Sequence, residues 1–266
     1  MVAVSVVIIT KNEAEVISSC INAAKLITDD IIVADNNSTD GTPEIVQKYG
    51  CRVYHENWDG YGANKNKGIA HAKYNWILSI DADEIADQEL VDALHGIKLD
   101  DPGVVYDIAF RSYYGDKQIR FGSWGRDHHI RLFNRKLVKW SESPVHETLV
   151  LPKTVVIKKL SGHLHHYSVK DSNEFISKAD HYARLSAGKY LMNKKKPTFL
   201  KLHIAPVFHF VKNYIVFLGF LDGREGFNIA KMISKHTWLK YRLLKYHPKA
   251  ICRETPQVKD NLVVEY

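Results

Sequence analysis

Trp76-Ile77-Leu78-Ser79-Ile80-Asp81-Ala82-Asp83-Glu84 decides how the chain is read. The first five residues are almost entirely apolar, which predicts a strand covered on both faces. Three acids then crowd into the four positions at its end. The same arrangement occurs twice earlier. Val4 to Ile9 is a nearly continuous apolar run, followed at once by Thr10-Lys11-Asn12-Glu13. Ile31-Ile32-Val33-Ala34 is followed by Asp35-Asn36-Asn37-Ser38-Thr39-Asp40-Gly41, a run of turn residues. Arg52-Val53-Tyr54 reads as a shorter strand.

Helical signals separate these strands. Val16, Ile17, Cys20, Ile21 and Ala24 recur at helical spacing within 13–27. Thr42 is placed to cap a helix reaching about Tyr49, with Pro43 at its first position. Residues 62–73 form a third helix, and Asp87 can cap a fourth with Leu90, Leu94 and Ile97 on one face. Strand-helix alternation implies an α/β fold with a mostly parallel central sheet and flanking helices. In such sheets ligands bind beyond the carboxyl ends of the strands. Thr10–Glu13, Asp35–Asp40 and Asp81–Glu84 therefore converge on one edge. After Asp101-Pro102-Gly103 the pattern changes: 104–114, 117–124, 128–134 and 154–160 read as strands. From Lys170 onward the chain reads as helical, with Pro197 and Pro206 as breaks.

The 266 residues, 45% hydrophobic and 25% charged, describe an ordinary globular protein with enough length to bury a core. Cys20, Cys51 and Cys252 are far apart and form no CxxC pair. That argues against a disulfide framework or zinc site and for a reducing, cytoplasmic compartment. The apolar N-terminal run is too short for a membrane span and lacks the flanks of a signal peptide. Ile204 to Leu221 is interrupted by His209, Lys212 and Asn213. The net charge of +7 is unevenly placed: 18 lysines and arginines face 8 acids from Lys170 onward, against 19 and 22 before it. A basic tail behind a near-neutral front suits an acidic partner or a solvated basic face.

The chemistry concentrates in the three loops. Asp81-Ala82-Asp83 places two carboxylates one residue apart, where one can bind a divalent cation and the other a ribose hydroxyl or a metal-bound water. Asp35 ends a buried strand, where a carboxylate can accept from a nucleobase N–H. Ser38, Asp40 and Thr42 fit either a binding loop or a plain Asx turn and helix cap. A Rossmann dinucleotide site would need Gly-x-Gly-x-x-Gly at the first loop, yet no glycine precedes Gly41. His128-His129 and His163-x-His165-His166 lack the usual helical His pair and a nearby cysteine, so they are expected to pack or to bond an acceptor.

At this point the chain resembles the family 2 glycosyltransferases. The resemblance rests on Thr10–Glu13, Asp35–Thr42, Lys65-Asn66 before Gly68, and Asp81–Glu84. It continues through Phe121–Trp124, His129–Arg135, Val145-His146-Glu147, Gly162–Tyr167 and Gly219–Gly223, which look like the lipooligosaccharide β-1,4-glucosyltransferase branch. The resemblance implies a GT-A fold and an inverting hexosyl transfer. The expected sugar is glucose, moved from a UDP-sugar to a lipopolysaccharide-core or other lipid-linked acceptor. It implies a catalytic domain over 1–168, with a nucleotide-binding half (1–101) and an acceptor-side half (102–168), and a basic helical extension over 169–266.

Roles follow from the resemblance position by position. Thr10, Asn12, Glu13, Asp35, Ser38 and Asp40 would line the donor pocket, with Asp35 on the uracil ring. Lys65 and Asn66 would lie near the base or diphosphate; Lys65 stands where many relatives carry arginine, and lysine lacks arginine's planar fork. Asp81 would contact the ribose or sugar, and Asp83 would hold Mg2+ or Mn2+ on the diphosphate. Arg131 and Arg135 could face the donor phosphates. Inverting transfer also needs a carboxylate to take the acceptor's proton. Glu147 is the expected base and Asp127 the alternative, while Glu147 could instead pair with an arginine such as Arg131.

Two matters stay open at this level. Lys194-Lys195-Lys196 followed by Phe199, Leu200, Ile204, Phe208 and Ile215 suits a helix lying on anionic membrane, or one packed on the protein core. A non-catalytic nucleotide-sugar or glycan-binding protein would share the donor loops. A nucleic-acid partner is not expected, because no such motif accompanies the pI near 9.1.

Overall fold

The computed structural model describes residues 2–141 and 147–248. Val145 and His146 of the Val-His-Glu motif, Cys252 and the remainder of 249–266 lie outside the described residues. The chain divides into two compact units. The first runs to Arg111 and resumes over Asp127–Ser143 and Glu147–Tyr167; the second takes Ser112–Arg126 and the chain from Ser168 onward.

The first unit is built on the strands foreseen in the sequence. β1 (Val4–Thr10), β2 (Ile31–Asp35), β3 (Arg52–His55) and β4 (Trp76–Asp81) pair in parallel in the order β3-β2-β1-β4. β1 and β2 are buried along their whole length, which is why they carry no polar alternation. The helices α1 (Ile17–Ile27), α2 (Thr42–Lys48), α3 (Tyr61–Ala70) and α4 (Gln88–Gly96) alternate with them. Ile17, Ile21 and Ile27 of α1 and Leu90 and Leu94 of α4 pack into one core with Val6, Ile8 and Leu78. Asp87 caps α4 as expected, accepting from the Leu90 N–H. Thr42 is the first residue of α2, and the cap position belongs to Gly41 with φ 88°. Glycine takes that left-handed geometry without the penalty threonine would meet.

The sheet continues beyond β4 through later segments. β5 (Glu84–Ala86), β6 (Val104–Tyr114), β8 (His128–Asn134) and β11 (Val156–Val169) extend it in the order β4-β8-β6-β11-β5. β8 runs antiparallel to β4 and to β6, and β5 antiparallel to β11. Parallel pairing joins the first four strands, and antiparallel pairs enter the sheet beyond β4. This is a mixed α/β sheet flanked by helices, with the helical C-terminal segment also present, as expected for the GT-A type. A short hairpin of β9 (Lys139–Trp140) and β10 (Leu149–Val150) stands apart.

Some boundaries differ from the sequence reading. The strand expected over 117–124 is only β7 (Lys117–Gln118), followed by a 3-10 turn at Trp124–Arg126. The strand expected over 154–160 runs on to Val169.

In the second unit, α5 (Ser172–Met192) is capped by Asp171. It packs on α7 (Gly223–Tyr246), and its buried residues are small, Ala179, Ala183 and Ala187 among them. Between them, a π-helical turn at Leu200–Ile204 leads into α6 (Ala205–Val211) and a second π turn at Lys212–Val216. Pro206, expected as a break, sits at the start of α6 directly after the π turn, inside a helical run that continues from Leu200 to Val216.

Candidate active site

The strand register brings the sequence motifs together. Thr10 pairs with Asp35 across β1 and β2, and Ile9 pairs with Asp81 across β1 and β4. Three strand ends thus present their following loops at one edge. Asp35 is fully buried. Its Oδ2 accepts from the Ser38 N–H at 3.0 Å and lies 3.3 Å from His55 Nδ1. Among the described residues its Oδ1 and the buried Thr10 Oγ1 have no hydrogen-bond partner. A buried acceptor left this way costs about 1–3 kcal/mol, so a ligand donor at this edge would be rewarded.

The remaining residues of the first two loops bind each other. Asn12 adopts a left-handed φ of 57°; its N–H donates to Ser38 Oγ at 2.8 Å and its Oδ1 accepts from the Thr39 N–H at 2.8 Å. Glu13 N–H donates to Thr42 Oγ1 at 3.0 Å. Asp40 accepts from the Ala14 N–H at 3.0 Å and from the Thr42 hydroxyl at 2.5 Å. In the structure Ser38 and Asp40 therefore tie the second loop to the first. That is a supporting contact for the pocket expected there.

The third loop carries an ion-pair network. Lys65 on α3 is buried, with its Nζ 3.2 Å from Asp81 Oδ1, 3.0 Å from Glu147 Oε1 and 4.5 Å from the Trp140 ring centre. The Lys65 ammonium is therefore held by two carboxylates. The alternative to a base role for Glu147 was a pair with an arginine such as Arg131; the cation that pairs with it in the structure is Lys65. Arg131 on β8 is buried, bonding Glu84 and lying 3.4 Å from Asp81 Oδ2, above the Phe110 ring. Burial works against the charge on Asp81, but Lys65 and Arg131 outweigh it and hold its carboxyl well below the usual range. Burial, together with Asp81 and Asp83, pushes the Glu84 carboxyl up, against the pull of Arg131.

Asp83 pairs with His166 on β11, Oδ2 to Nε2 at 3.4 Å. Burial disfavours the charged imidazole. The Asp83 carboxylate, with Glu84 and Asp81 behind it, nonetheless raises His166 to about 9. Asp127 lies 3.0 Å from His129. Burial raises its carboxyl, but His129, His166 and Arg131 together outweigh it, for a net downward shift.

Two expected donor contacts have structural partners. Asn66 uses both ends of its amide on Trp140, donating to the carbonyl at 2.9 Å and accepting from the N–H at 3.1 Å. Arg135 donates to the Ile69 and Ala72 carbonyls, both at 2.9 Å, and so closes the end of α3. These contacts, with Gly62, fix the approach to Glu147. A Cβ on Gly62 would stand 1.9 Å from the Ser141 carbonyl oxygen and 3.1 Å from Glu147 Cβ.

Residues to which the sequence reading gave no role in the donor site also take part. Glu84 and His166 pair across β5 and β11, so the histidine run has one member in the acidic cluster. The alternation of that run along a strand was the available signal. His163 does something different: its N–H and ring bond Asp87. Asp87, Glu89 and His163 bring ligand atoms within 4.8 Å of one another, but the Asp87 oxygens already serve the α4 cap and this strand tie.

Comparison with known proteins follows the same lines. Residues 5–150 match the profile described as Glycosyl transferase family 2. The chain is 33% identical to an uncharacterized glycosyltransferase of Rickettsia typhi, over 85% of this chain and 81% of that one. It is 28% identical to the lipopolysaccharide core biosynthesis glycosyltransferase LpsC of Rhizobium meliloti, over 97% of each. Among solved structures, it is similar to glucosyl-3-phosphoglycerate synthase of Mycobacterium tuberculosis in complex with Mn2+, uridine diphosphate and glucosyl-3-phosphoglycerate. That similarity has 26% identity and a TM-score of 0.35, covering 43% of this chain and 45% of that one.

Proposed function

The chain belongs to glycosyl transferase family 2, and on that premise we propose that it is an inverting enzyme moving a hexose, with glucose the expected sugar, from a UDP-sugar to a lipopolysaccharide-core or other lipid-linked acceptor. The observation that carries this reading is the shared Lys65 ammonium. It joins Asp81, at the donor-side strand end, to Glu147, the proposed base. The LpsC relative, named for lipopolysaccharide core biosynthesis, supports the acceptor class.

In this mechanism the uracil ring supplies N–H to the unpartnered Asp35 Oδ1. Thr10, Asn12 and Glu13 form the neighbouring wall, and Asp81 receives a ribose or sugar hydroxyl. Glu147 takes the proton of the acceptor hydroxyl as its oxygen attacks the anomeric carbon. The bond from that carbon to the diphosphate oxygen breaks, and the electron pair leaves with UDP. Attack opposite the leaving group inverts the anomeric centre. Lys65 keeps Glu147 facing the donor side. Asp127 is the alternative base.

Asp83 is the residue we assign to a divalent cation, Mg2+ or Mn2+. Its oxygen donors suit a hard ion, and its carboxylate is paired with His166 at 3.4 Å. When bound, the ion stabilises the charge that develops on the departing diphosphate. We read 1–168 as the transfer domain and 169–266 as a basic helical extension.

The test is turnover. Purified protein with Mg2+ or Mn2+ should release UDP from a UDP-hexose in the presence of acceptor. Asp83→Ala should lose that release while its melting curve stays intact. Full activity in Asp83→Ala removes the metal assignment, and absence of UDP binding removes the donor assignment.

A further inference from the structure

The segment between α5 and α7 is inside out. Its stripe of Leu200, Ile204, Val207, Phe208, Val211 and Ile215 follows helical spacing, yet every member is exposed, Val207 by 61% and Phe208 by 58%. Two polar residues, Asn213 within it and Asp222 just beyond, are instead buried. Asn213 accepts from the Ser123 N–H and donates to the His209 carbonyl, and Asp222 accepts from the N–H groups of Arg120 and Phe121. An amphipathic helix in water turns the other way. Beyond the stripe the chain turns, and Leu218, Phe220 and Leu221 are exposed there too. The helical runs Leu200–Val216 and Gly219–Tyr246 meet at a bend of 71°. Among the described residues no single helix is long and apolar enough to cross a membrane. The apolar surface is therefore a bent wedge.

Charge identifies what the wedge meets. Residues 193–221 hold five lysines and no carboxylate, and Lys194, Lys195 and Lys196 stand exposed at the start of the apolar run. Exposed apolar side chains bordered by exposed lysines, in a stretch whose sequence holds no carboxylate, match the two layers of a bilayer surface: acyl chains, then anionic headgroups. An apolar patch of this extent is uncommon on a protein that meets only water. We propose that residues 194–221 form a membrane-surface wedge. Phe199, Val207, Phe208, Ile215 and Leu221 enter the headgroup–acyl boundary of an anionic leaflet, and Lys194–Lys196 lie on its phosphates. The inference goes beyond the transfer reading and does not depend on it.

Flotation of the full chain with vesicles tests it. The chain should float with phosphatidylcholine vesicles containing phosphatidylglycerol, and about tenfold less with phosphatidylcholine alone. Val207→Asp with Phe208→Asp should abolish flotation while circular dichroism is unchanged. Phe220→Ser with Leu221→Ser provides an independent second variant. Lys194→Ala, Lys195→Ala and Lys196→Ala together should weaken flotation and its salt dependence. The proposal is overturned if wild type does not float, or if both apolar variants float like wild type. It is equally overturned if the chain is a lipid-independent dimer that the apolar variants dissolve, since the face then belongs to a second copy. UDP binding by calorimetry on the same samples reports separately on the donor site.

Discussion

The ammonium of Lys65 stands 3.0 Å from the carboxylate of Glu147, across 82 positions of sequence. It also reaches Asp81 at 3.2 Å, over the face of Trp140. Removing one member of a buried ion network leaves the others desolvated and unbalanced, which costs about 3–5 kcal/mol when burial is complete. Asp81 keeps Arg131 and both carboxylates retain some exposure, so the lower end applies. Lys65→Met should destabilise the chain by about 3 kcal/mol. Lys65→Arg, which keeps the charge, should cost less. Urea denaturation of the three proteins measures both, and a Lys65→Met variant as stable as wild type would show that the network is not a unit.

Glu147 and Asp127 are separated by their company. Glu147 borders the Asp81 side through Lys65, whereas Asp127 is bonded to His129 and held low in proton affinity, which makes it a poorer base. Glu147→Gln should therefore lower kcat by roughly 10²–10⁴, the usual contribution of a general base. Asp127→Asn should lower it by less than about tenfold. UDP affinity should hold in both. The reverse ranking moves the base to Asp127.

These contacts show where sequence reasoning reaches and where it stops. β1, β2 and β4 are legible because burial on both faces leaves an unbroken apolar run, and acids at their ends then fall on one edge. β11 is obscured because Lys158, Lys159 and three histidines interrupt its pattern while its buried positions, such as Leu160, Gly162 and Leu164, alternate with them. Asn66 and Arg135 sit inside motifs and carry donor-type side chains, yet their partners are backbone groups of Trp140, Ile69 and Ala72. A sequence gives side-chain chemistry; it does not say which backbone group will be within reach after folding. The Lys65–Glu147 pair is hidden for the same reason.

Gly62 gives a test of the approach between α3 and the base. A Cβ there would lie 1.9 Å from a backbone oxygen of Ser141, closer than any relaxed contact. Gly62→Ala must push α3 and the chain around Ser141 apart, and Glu147 Cβ, at 3.1 Å, moves with it. Displacements of this size degrade catalysis more than binding, because the base has to meet the acceptor proton within hydrogen-bond reach. The expected result is a kcat lower by about a hundredfold, with UDP affinity changed only a few-fold. Equal losses in both would mean that the donor pocket has shifted as well.

Asp87 gives the clearest dependence on pH. Burial alone would raise its carboxyl above the ordinary 3.8, but N–H groups of His163 and Leu90 and the His163 ring bring it below that value. The folded group therefore has the lower pKa. Its contribution is complete above the unfolded value near 3.8 and disappears as pH falls through the folded value. The same carboxylate caps α4 and ties it to β11. Asp87→Ala should cost about 1–2 kcal/mol at pH 7, the value of a lost N-cap together with a strand contact. The difference from wild type should stay constant between pH 5 and 8 and shrink below about 4 as the wild-type carboxyl is protonated. Denaturant melts of both proteins across that range would show it. A difference that persisted undiminished at the lowest pH would assign the loss to packing, because the ionised oxygen would then have contributed nothing.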